Sequence, residues 1–196
     1  YFTTSVDADE NLINEGVDSS GVYMVGNLMI DSLVANLEKA SSTPLRFKPL
    51  NRENIVELGK EFKQGQYVVL TFHRPSNVDS KESLSQLVEI WGTLSKRLPL
   101  IFPVHPRTYK NIETFGMREK IDQFENLFFI EPLGYLQFIN LVRNSRFVLT
   151  DSGGIQEETT YLNLPCLTIR PNTERPVTIW EGSNKLIKTE EILTES

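Results

Sequence analysis

The chain has 196 residues, of which 39% are hydrophobic and 23% charged, a composition typical of a globular protein with one large domain or two small ones. The net charge of −6 disfavours a nucleic-acid partner or an anionic membrane surface, because both require a basic face. The net charge does not exclude a small anionic ligand, because such a ligand requires only local donors. No segment approaches the roughly 20 apolar residues of a membrane span.

Strands and helices are predicted to alternate along most of the chain. Runs of apolar and β-branched residues predict strands at 21–26, 66–72, 100–104, 126–133, 146–151, 165–170 and 184–188. Apolar residues at helical spacing predict helices at 27–40, 52–62, 80–98, 107–122, 135–145 and 153–163. The segment 41–50, SSTPLRFKPL, has the composition of a linker.

The predicted fold is α/β, with a doubly wound, Rossmann-like parallel sheet. The strands are continuous apolar runs, so helices are expected to cover both faces of the sheet. Ligands of such sheets bind beyond the carboxyl ends of the strands. The loops that follow the strands are therefore the places where a functional site is expected.

The segment 149–158, LTDSGGIQEE, places two glycines between a predicted strand and a predicted helix. Gly153 and Gly154 would let the backbone approach a ligand, and the unpaired amides of the first helical turn favour a phosphate. Ser152 adds a hydroxyl. Glu158 lies about 6 Å further along the helix axis, near the span from a diphosphate to a ribose. The same residues would also suit a tight turn with no ligand.

Two other strand ends carry a histidine and an arginine. His73 and Arg74 follow one strand, and His105 and Arg107 follow the next. Both types of side chain can donate hydrogen bonds to phosphate oxygens. The alternative is a histidine that caps its own loop, and for His105 the residues alone favour that alternative.

A fourth loop, after the strand at 165–170, carries Arg170 and Arg175. Arg175 could contact a phosphate or order the ligand loop, whereas a surface salt bridge with Glu174 or Glu181 would contribute little. Taken together, the strand-end loops present donors at one edge of one sheet. This arrangement predicts an anionic ligand with several oxygens, such as a diphosphate.

Five segments carry a family resemblance. They are VGNLMIDSL (25–33), TFHRPSN (71–77), PVHPRT (103–108), LTDSGGIQEE (149–158) and TERP (173–176). In order and spacing they resemble the UDP-N-acetylglucosamine 2-epimerase family, in its non-hydrolysing bacterial and archaeal form. The resemblance implies two Rossmann-like lobes in the glycosyltransferase-B (GT-B) architecture, with the active site between them. Residues 1–20 would be the crossover from a first lobe, and residues 21–196 the UDP-binding second lobe.

The resemblance also implies roles for individual residues. The UDP-binding residues would be Arg74, Phe138, Ser152, Gly153, Gly154, Glu158 and Arg175. Within this set the serine and the two glycines would hold the diphosphate, Glu158 would accept the ribose hydroxyls, and Phe138 would line the uracil pocket. His73 would be the catalytic residue of this lobe. His105 matches a histidine that bacterial members use at a second, regulatory substrate site.

Two positions depart from the family pattern. Residues 73–77 read His-Arg-Pro-Ser-Asn, whereas the family often has His-Arg-Arg-Glu-Asn, so a charge pair after Arg74 is absent. Leu133 stands five residues before Phe138, where a glutamine is common. One polar contact to uracil therefore has no counterpart in this sequence.

The reaction implied by the resemblance is an isomerisation. It inverts C2 of UDP-N-acetylglucosamine to give UDP-N-acetylmannosamine, by elimination and re-addition of UDP, and it would serve cell-surface polysaccharide biosynthesis. The leaving diphosphate needs positive stabilisation, which this lobe would supply. Removal of the C2 proton needs carboxylates, which in the family lie mostly on the first lobe. This chain alone is therefore expected to bind UDP without epimerising its substrate.

The expected partner is a UDP-sugar, with a homodimer in the full-length protein, and no nucleic acid or membrane. No metal and no other cofactor is expected. Cys166 is the single cysteine, which rules out a disulfide within the chain and predicts a cytoplasmic protein.

Three alternative functions stay open. A GT-B glycosyltransferase would also hold a nucleotide diphosphate on its second lobe, although the TERP segment argues against it. The lobe could also be a non-catalytic nucleotide-binding domain. A hydrolysing epimerase would release free N-acetylmannosamine.

Overall fold

The computed structural model describes residues 1–194, in which strands and helices alternate. The strands are β1 (Phe2–Thr3), β2 (Tyr23–Met24), β3 (Arg46–Phe47), β4 (Val56–Glu57), β5 (Val68–Thr71), β6 (Leu100–Pro103), β7 (Leu127–Ile130), β8 (Phe147–Thr150), β9 (Cys166–Ile169) and β10 (Asn184–Ile187). The helices are α1 (Val6–Asn14), α2 (Leu28–Ser42), α3 (Pro75–Val78), α4 (Lys81–Ser95), α5 (Pro106–Thr114), α6 (Arg118–Asp122), α7 (Tyr135–Arg143), α8 (Gly153–Tyr161), α9 (Val177–Trp180) and α10 (Thr189–Thr194). The last two residues of the predicted 21–196 lobe lie outside the described residues.

Six strands form one fully parallel sheet in the order β10-β9-β8-β5-β6-β7. Along the chain, β5 is the first strand of this sheet, and it lies in the middle of the sheet between β8 and β6. The chain builds one half of the sheet through β6 and β7, then returns to β8 and builds the other half. This is the Rossmann strand order, and its reversal point lies between β5 and β8. The predicted doubly wound parallel sheet is confirmed.

Successive side chains of each strand point to opposite faces of the sheet. Both faces are buried, because a core cluster lies on each of them. Val68, Leu70 and Phe72 belong to the cluster beneath α4, which includes the buried Trp91. Tyr67 and Val69 belong to the opposite cluster, which contains side chains of α7. The continuous apolar run of this strand is thus explained by burial on two sides.

The helix predicted at 52–62 is wrong. The segment forms β4, which pairs antiparallel with β3, and Val56 is buried in the core. Gly59 adopts a φ of +92°, a left-handed conformation that interrupts a helix. Just before this segment, Leu50 donates its amide to Phe129 O at 2.6 Å, so the chain after β3 covers the edge of β7. The linker-like segment 41–50 accordingly contains β3 rather than a free connection.

The N-terminal residues lie outside the six-stranded sheet. The strand predicted at 21–26 is present as β2, but it pairs with β1 in a separate two-stranded sheet. The sequence patterns do not predict β1 or α1. Gly26, at a φ of +82°, precedes Asn27, the N-cap residue of α2, and α2 packs against α7 and α8.

The other predicted strands and helices agree with the structure within a few residues, except that one predicted helix is divided in two. The helix predicted at 107–122 is two helices, α5 and α6, because Gly116 adopts a φ of +67° between them. Within residues 1–194, no helix combines the length and the apolar composition needed to cross a bilayer.

Candidate functional site

Two loops meet at the reversal point of the sheet, one after β5 and the other after β8. The hydroxyls of Thr71 and Thr150, the last residues of these strands, lie 2.6 Å apart in a hydrogen bond. The Thr150 hydroxyl also accepts the amide of Ser152 at 2.9 Å. The loop after β5 carries His73, so the two motifs predicted to bind an anion are neighbours in space.

Asp151 joins the two loops and is fully buried. Its carboxylate accepts hydrogen bonds from the backbone amides of His73, at 3.1 and 3.2 Å, and of Arg74, at 2.9 Å, and from the side chain of Asn77 at 3.2 Å. The His73 ring also lies against this carboxylate, with Nδ1 3.2 Å from Oδ1. A buried carboxylate needs such donors to compensate its lost hydration. Asp151 therefore fixes the position of the histidine and arginine that follow β5.

The first turn of α8 is open to a ligand. Ser152 is the N-cap residue, but its hydroxyl makes no capping hydrogen bond. Among residues 1–194, no protein acceptor is found for the amides of Gly153, Gly154 and Ile155. These donors and the positive end of the helix dipole can therefore receive an anion.

Two guanidinium groups lie beside Gly153. A methyl group on its Cα would lie 3.8 Å from Glu174 Oε2, 3.9 Å from Arg74 Nη2 and 4.0 Å from Arg170 Nη1. Glu174 holds both arginines, through two 2.7 Å hydrogen bonds from Arg170 and a 3.6 Å ion pair with Arg74. The hydrogen bonds from Arg170 are the main cause that lowers the pKa of Glu174 to about 2, and the charges of both arginines add to it. The positive charge at the start of α8 is thus held in place by this carboxylate.

The lack of a side chain matters for different reasons at Gly153 and Gly154. Neither Gly153 nor Gly154 has a positive φ, so the backbone conformation does not require them. A methyl group on Gly153 would point toward the group formed by Arg74, Arg170 and Glu174, with no atom closer than 3.8 Å, so glycine leaves open space beside the two guanidinium groups. A methyl group on Gly154 would approach Met29 Cε to 2.8 Å. Gly154 therefore serves the close packing of the start of α2 against α8.

A cleft of about 440 Å³ opens at the same edge of the sheet. His73, His105 and Ser152 line its polar side, and Leu133 and Phe138 line its apolar side. Its volume lies within the range of small-molecule sites, and a few polar groups on an apolar wall are typical of them. The cleft has the size and chemistry for a planar base.

A larger cleft, of about 610 Å³, lies behind Pro132 and Leu133 and is formed by the segment 46–53. It contains none of the residues predicted to bind a ligand. The smaller cleft is the better candidate because it opens next to the uncapped turn of α8.

Glu158 is only 6% exposed, and its Oε1 accepts a 3.3 Å hydrogen bond from the Tyr135 hydroxyl. Burial is the main cause that raises the pKa of Glu158, the charge of Glu157 adds to it, and the hydrogen bond from Tyr135 opposes it. Burial and the charge of Glu158 in turn raise the pKa of Tyr135 to about 12. Hydrogen-bond donors from a ligand would stabilise the charged form of Glu158 and offset the effect of burial on its pKa.

Arg175 does not form the exposed salt bridge considered as its alternative role. Its Nε lies 3.1 Å from Oε1 of the buried Glu157, in an ion pair without a well-directed hydrogen bond. Its Nη1 contacts the carbonyl of Glu174 at 3.4 Å. The side chain is 42% exposed, so it can also contact a ligand.

The chain matches a known protein family over nearly its whole length. The family model described as UDP-N-acetylglucosamine 2-epimerase matches residues 1–195. The chain belongs to the UDP-N-acetylglucosamine 2-epimerase family.

A curated UDP-N-acetylglucosamine 2-epimerase of Methanococcus maripaludis is 38% identical over 187 residues, which cover 94% of this chain and 49% of the relative. Among solved structures, the Methanocaldococcus jannaschii UDP-GlcNAc 2-epimerase in complex with UDP-GlcNAc and UDP superposes with a TM-score of 0.82. It is 36% identical, with 99% of this chain and 52% of that chain covered. The Neisseria meningitidis epimerase bound to UDP-GlcNAc gives a TM-score of 0.78 and 30% identity over 99% of this chain and 51% of that one. The chain thus spans about half the length of the relatives it matches.

This epimerase-family lobe brings most of the predicted site residues together at one edge of its sheet. The exception is Arg107, which pairs with Asp79 on α3 through Nε at 2.7 Å and also through Nη2. His105 lines the cleft, but it also caps α5, because its Nδ1 accepts the amide of Arg107 at 3.2 Å. Arg107 therefore pairs with Asp79 and does not join the donors at the start of α8, and the loop-capping role that the residues alone favoured for His105 is present.

The sequence alone did not indicate several residues that the structure places in the candidate site. Asp151 and Glu157 stand inside the quoted motif 149–158 but received no role. Tyr135 carried no local signal, because its partner Glu158 is on another helix. An acid directly after an apolar strand and directly before Ser-Gly-Gly is the sequence signal that could have pointed to Asp151.

Proposed function

We propose that this chain is the UDP-binding lobe of an isomerase that interconverts UDP-N-acetylglucosamine and UDP-N-acetylmannosamine by inversion at C2. The observation that carries the proposal is the uncapped first turn of α8 at the reversal point of the sheet, with Arg74 and Arg170 beside Gly153. Two solved relatives that share this fold at 30% identity or more were crystallised with UDP-GlcNAc.

The diphosphate would lie against the open turn of α8. The amides of Gly153 and Gly154 and the hydroxyl of Ser152 would donate to its oxygens, and Arg74 and Arg175 would contribute charge. Elimination breaks the bond between C1 of the sugar and the β-phosphate oxygen, so negative charge develops on the leaving UDP. Donors that are already fixed in place stabilise this charge without reorganisation.

The nucleoside would occupy the cleft and the adjacent face of α8. Phe138 and Leu133 would contact the uracil, and the two ribose hydroxyls would donate to Glu158. His73, held by Asp151, would lie next to the departing phosphate as the catalytic residue of this lobe. Its contact with a buried carboxylate favours a proton on Nδ1 and leaves Nε2 available.

The acid–base step at C2 would come from outside this chain. Asp151, Glu157 and Glu158, which follow β8, and Glu174, which follows β9, are each held by hydrogen bonds or ion pairs, so none of these four acids is free to accept a carbon-bound proton. We therefore propose that the carboxylates lie on the half of the relatives that this chain does not span. In this arrangement residues 1–20 would be the crossover between the lobes, and 21–196 the UDP-binding lobe.

The proposal is tested by calorimetric titration of the chain with UDP, UMP and UDP-N-acetylglucosamine. UDP should bind more tightly than UMP, and Ser152→Ala and Glu158→Ala should each weaken UDP binding by about 1–3 kcal/mol. Equal binding of UDP and UMP, or no heat with either, would refute the diphosphate site.

The catalytic part of the proposal is tested separately. Turnover of UDP-N-acetylglucosamine by the 196-residue chain alone would contradict a division of labour between two lobes. The homodimer, the cytoplasmic location and the second substrate site at His105 stay predictions.

A further inference from the structure

Glu157 is a buried carboxylate to which the proposed reaction gives no role. It lies in the second turn of α8 and is 9% exposed. Its Oε1 accepts a 2.8 Å hydrogen bond from Asn27 Nδ2 and lies 3.1 Å from Arg175 Nε. Its Oε2 is buried without a hydrogen bond among the described residues. A charge held so deeply needs a fixed cation beside it.

Arg175 is that cation, and the ion pair determines where its side chain lies. Among residues 1–194, its one other polar side-chain contact is that of Nη1 with the carbonyl of Glu174 at 3.4 Å. Glu157 holds the inner nitrogen, Nε, while the side chain as a whole is 42% exposed, so its outer nitrogens can contact a ligand. Without the carboxylate, a half-exposed arginine on an irregular loop would sample many rotamers.

Asn27 links this ion pair to the start of α2. It is the N-cap residue, and its Oδ1 accepts the amide of Met29 at 2.9 Å. Its other side-chain atom donates to Glu157. Met29 in turn packs against Gly154, so the start of α2 is fixed to the start of α8 at two points. This contact gives the VGN motif at 25–27 a physical role.

We propose that Glu157 is a positioning residue for Arg175, and that the chain Asn27–Glu157–Arg175 couples the start of α2 to the diphosphate site. Residues 1–26 join the main domain at this point, since β1 and β2 lie in a separate sheet. Displacement of that segment would move Asn27, weaken the hold on Glu157 and release Arg175. The inference rests on the proposed function, because it assumes that Arg175 contacts a phosphate.

The test is calorimetric titration of the wild-type chain and of Glu157→Gln with UDP and with uridine. Glutamine keeps an oxygen for Asn27 but loses the charge that holds Arg175. UDP affinity should fall about tenfold, the equivalent of one lost charge-assisted hydrogen bond, while uridine affinity stays unchanged. Glu53→Gln, which removes an exposed pair with Lys48, should change neither.

A second variant guards against misfolding of the first. Asn27→Ser keeps a hydroxyl to cap α2 but is too short to contact Glu157, and it should weaken UDP binding about threefold without affecting uridine. If wild-type UDP binding is absent, the proposed function fails and this inference fails with it. If the wild type binds UDP and both variants keep its ratio of UDP to uridine affinity, Glu157 is only a structural contact and the inference alone is overturned.

Discussion

The carboxylate of Asp151, at the end of β8, accepts a 2.9 Å hydrogen bond from the backbone amide of Arg74, just after β5. The two residues are 77 positions apart in the chain. Their contact closes the reversal point of the sheet and sets an arginine beside the open turn of α8.

Asp151→Asn should lower the free energy of unfolding by about 2–3 kcal/mol, because the amide group places donors against the backbone amides of His73 and Arg74. UDP binding should fall as well, since the loop after β5 loses its anchor. Chemical denaturation measures the stability change. Asp79→Asn is the matched control at an exposed pair with Arg107, and it should cost no more than about 1 kcal/mol. A stability loss no larger than that of the control would contradict the role of Asp151.

Gly153→Ala should weaken UDP binding without a large loss of stability. The position has no positive φ and no contact closer than 3.8 Å, so the fold should tolerate alanine within about 1 kcal/mol. The new methyl group lies between the helix start and the arginines, so UDP affinity should fall by about tenfold or more. Thermal melts and titration measure the two effects. Gly21→Ala, also without a positive φ and with open space around it, is the control. Unchanged UDP affinity in Gly153→Ala would place the anion elsewhere.

Arg74 and Arg107 should differ sharply in their contribution to UDP binding. Arg74→Ala should weaken UDP binding by about 1–3 kcal/mol, because its guanidinium lies beside Gly153. Arg107→Ala should leave UDP binding unchanged, since Arg107 pairs with Asp79. Titration of both variants decides between them. Equal losses would mean that the loop after β6 also binds the anion.

Binding of uridine should strengthen with rising pH. The pKa of Glu158 is raised above its ordinary value of 4.5, so the carboxylate is partly protonated just above that value in the free protein. Ribose hydroxyls donate to the charged form and should lower the pKa again, so binding releases protons in this window. Titration in buffers of different ionisation enthalpy measures the release. The signal should disappear in Glu158→Gln, and proton uptake by the wild type would exclude this role for Glu158.

The same shift has a consequence for stability. A raised pKa in the folded state means that the contribution of Glu158 is fully present below pH 4.5 and is lost as the pH rises through the folded value. At neutral pH the charged, buried Glu158 therefore destabilises the unliganded fold. Glu158→Gln should raise the melting temperature at neutral pH while weakening uridine binding. A lower melting temperature would show that the charge is compensated by contacts other than that of Tyr135.

Local sequence patterns determined the main layers of this protein. Continuous apolar strands such as Val68–Thr71 indicate burial on both faces, and helical spacing identified α4 and α7, because both signals depend only on neighbouring residues. The same patterns failed at 52–62. There the pairing of β4 with β3 and the left-handed Gly59 override a helical spacing of apolar residues.

The sequence by itself also determined which loops carry the donors, because the carboxyl ends of parallel strands share one edge. Only the tertiary structure decided which donors meet. Arg74 and Arg170 converge on Gly153, whereas Arg107 turns away to Asp79. Asn27 and Glu157 meet across 130 positions. Such contacts depend on how α2 packs against α8, and no local periodicity encodes the position of one helix relative to another.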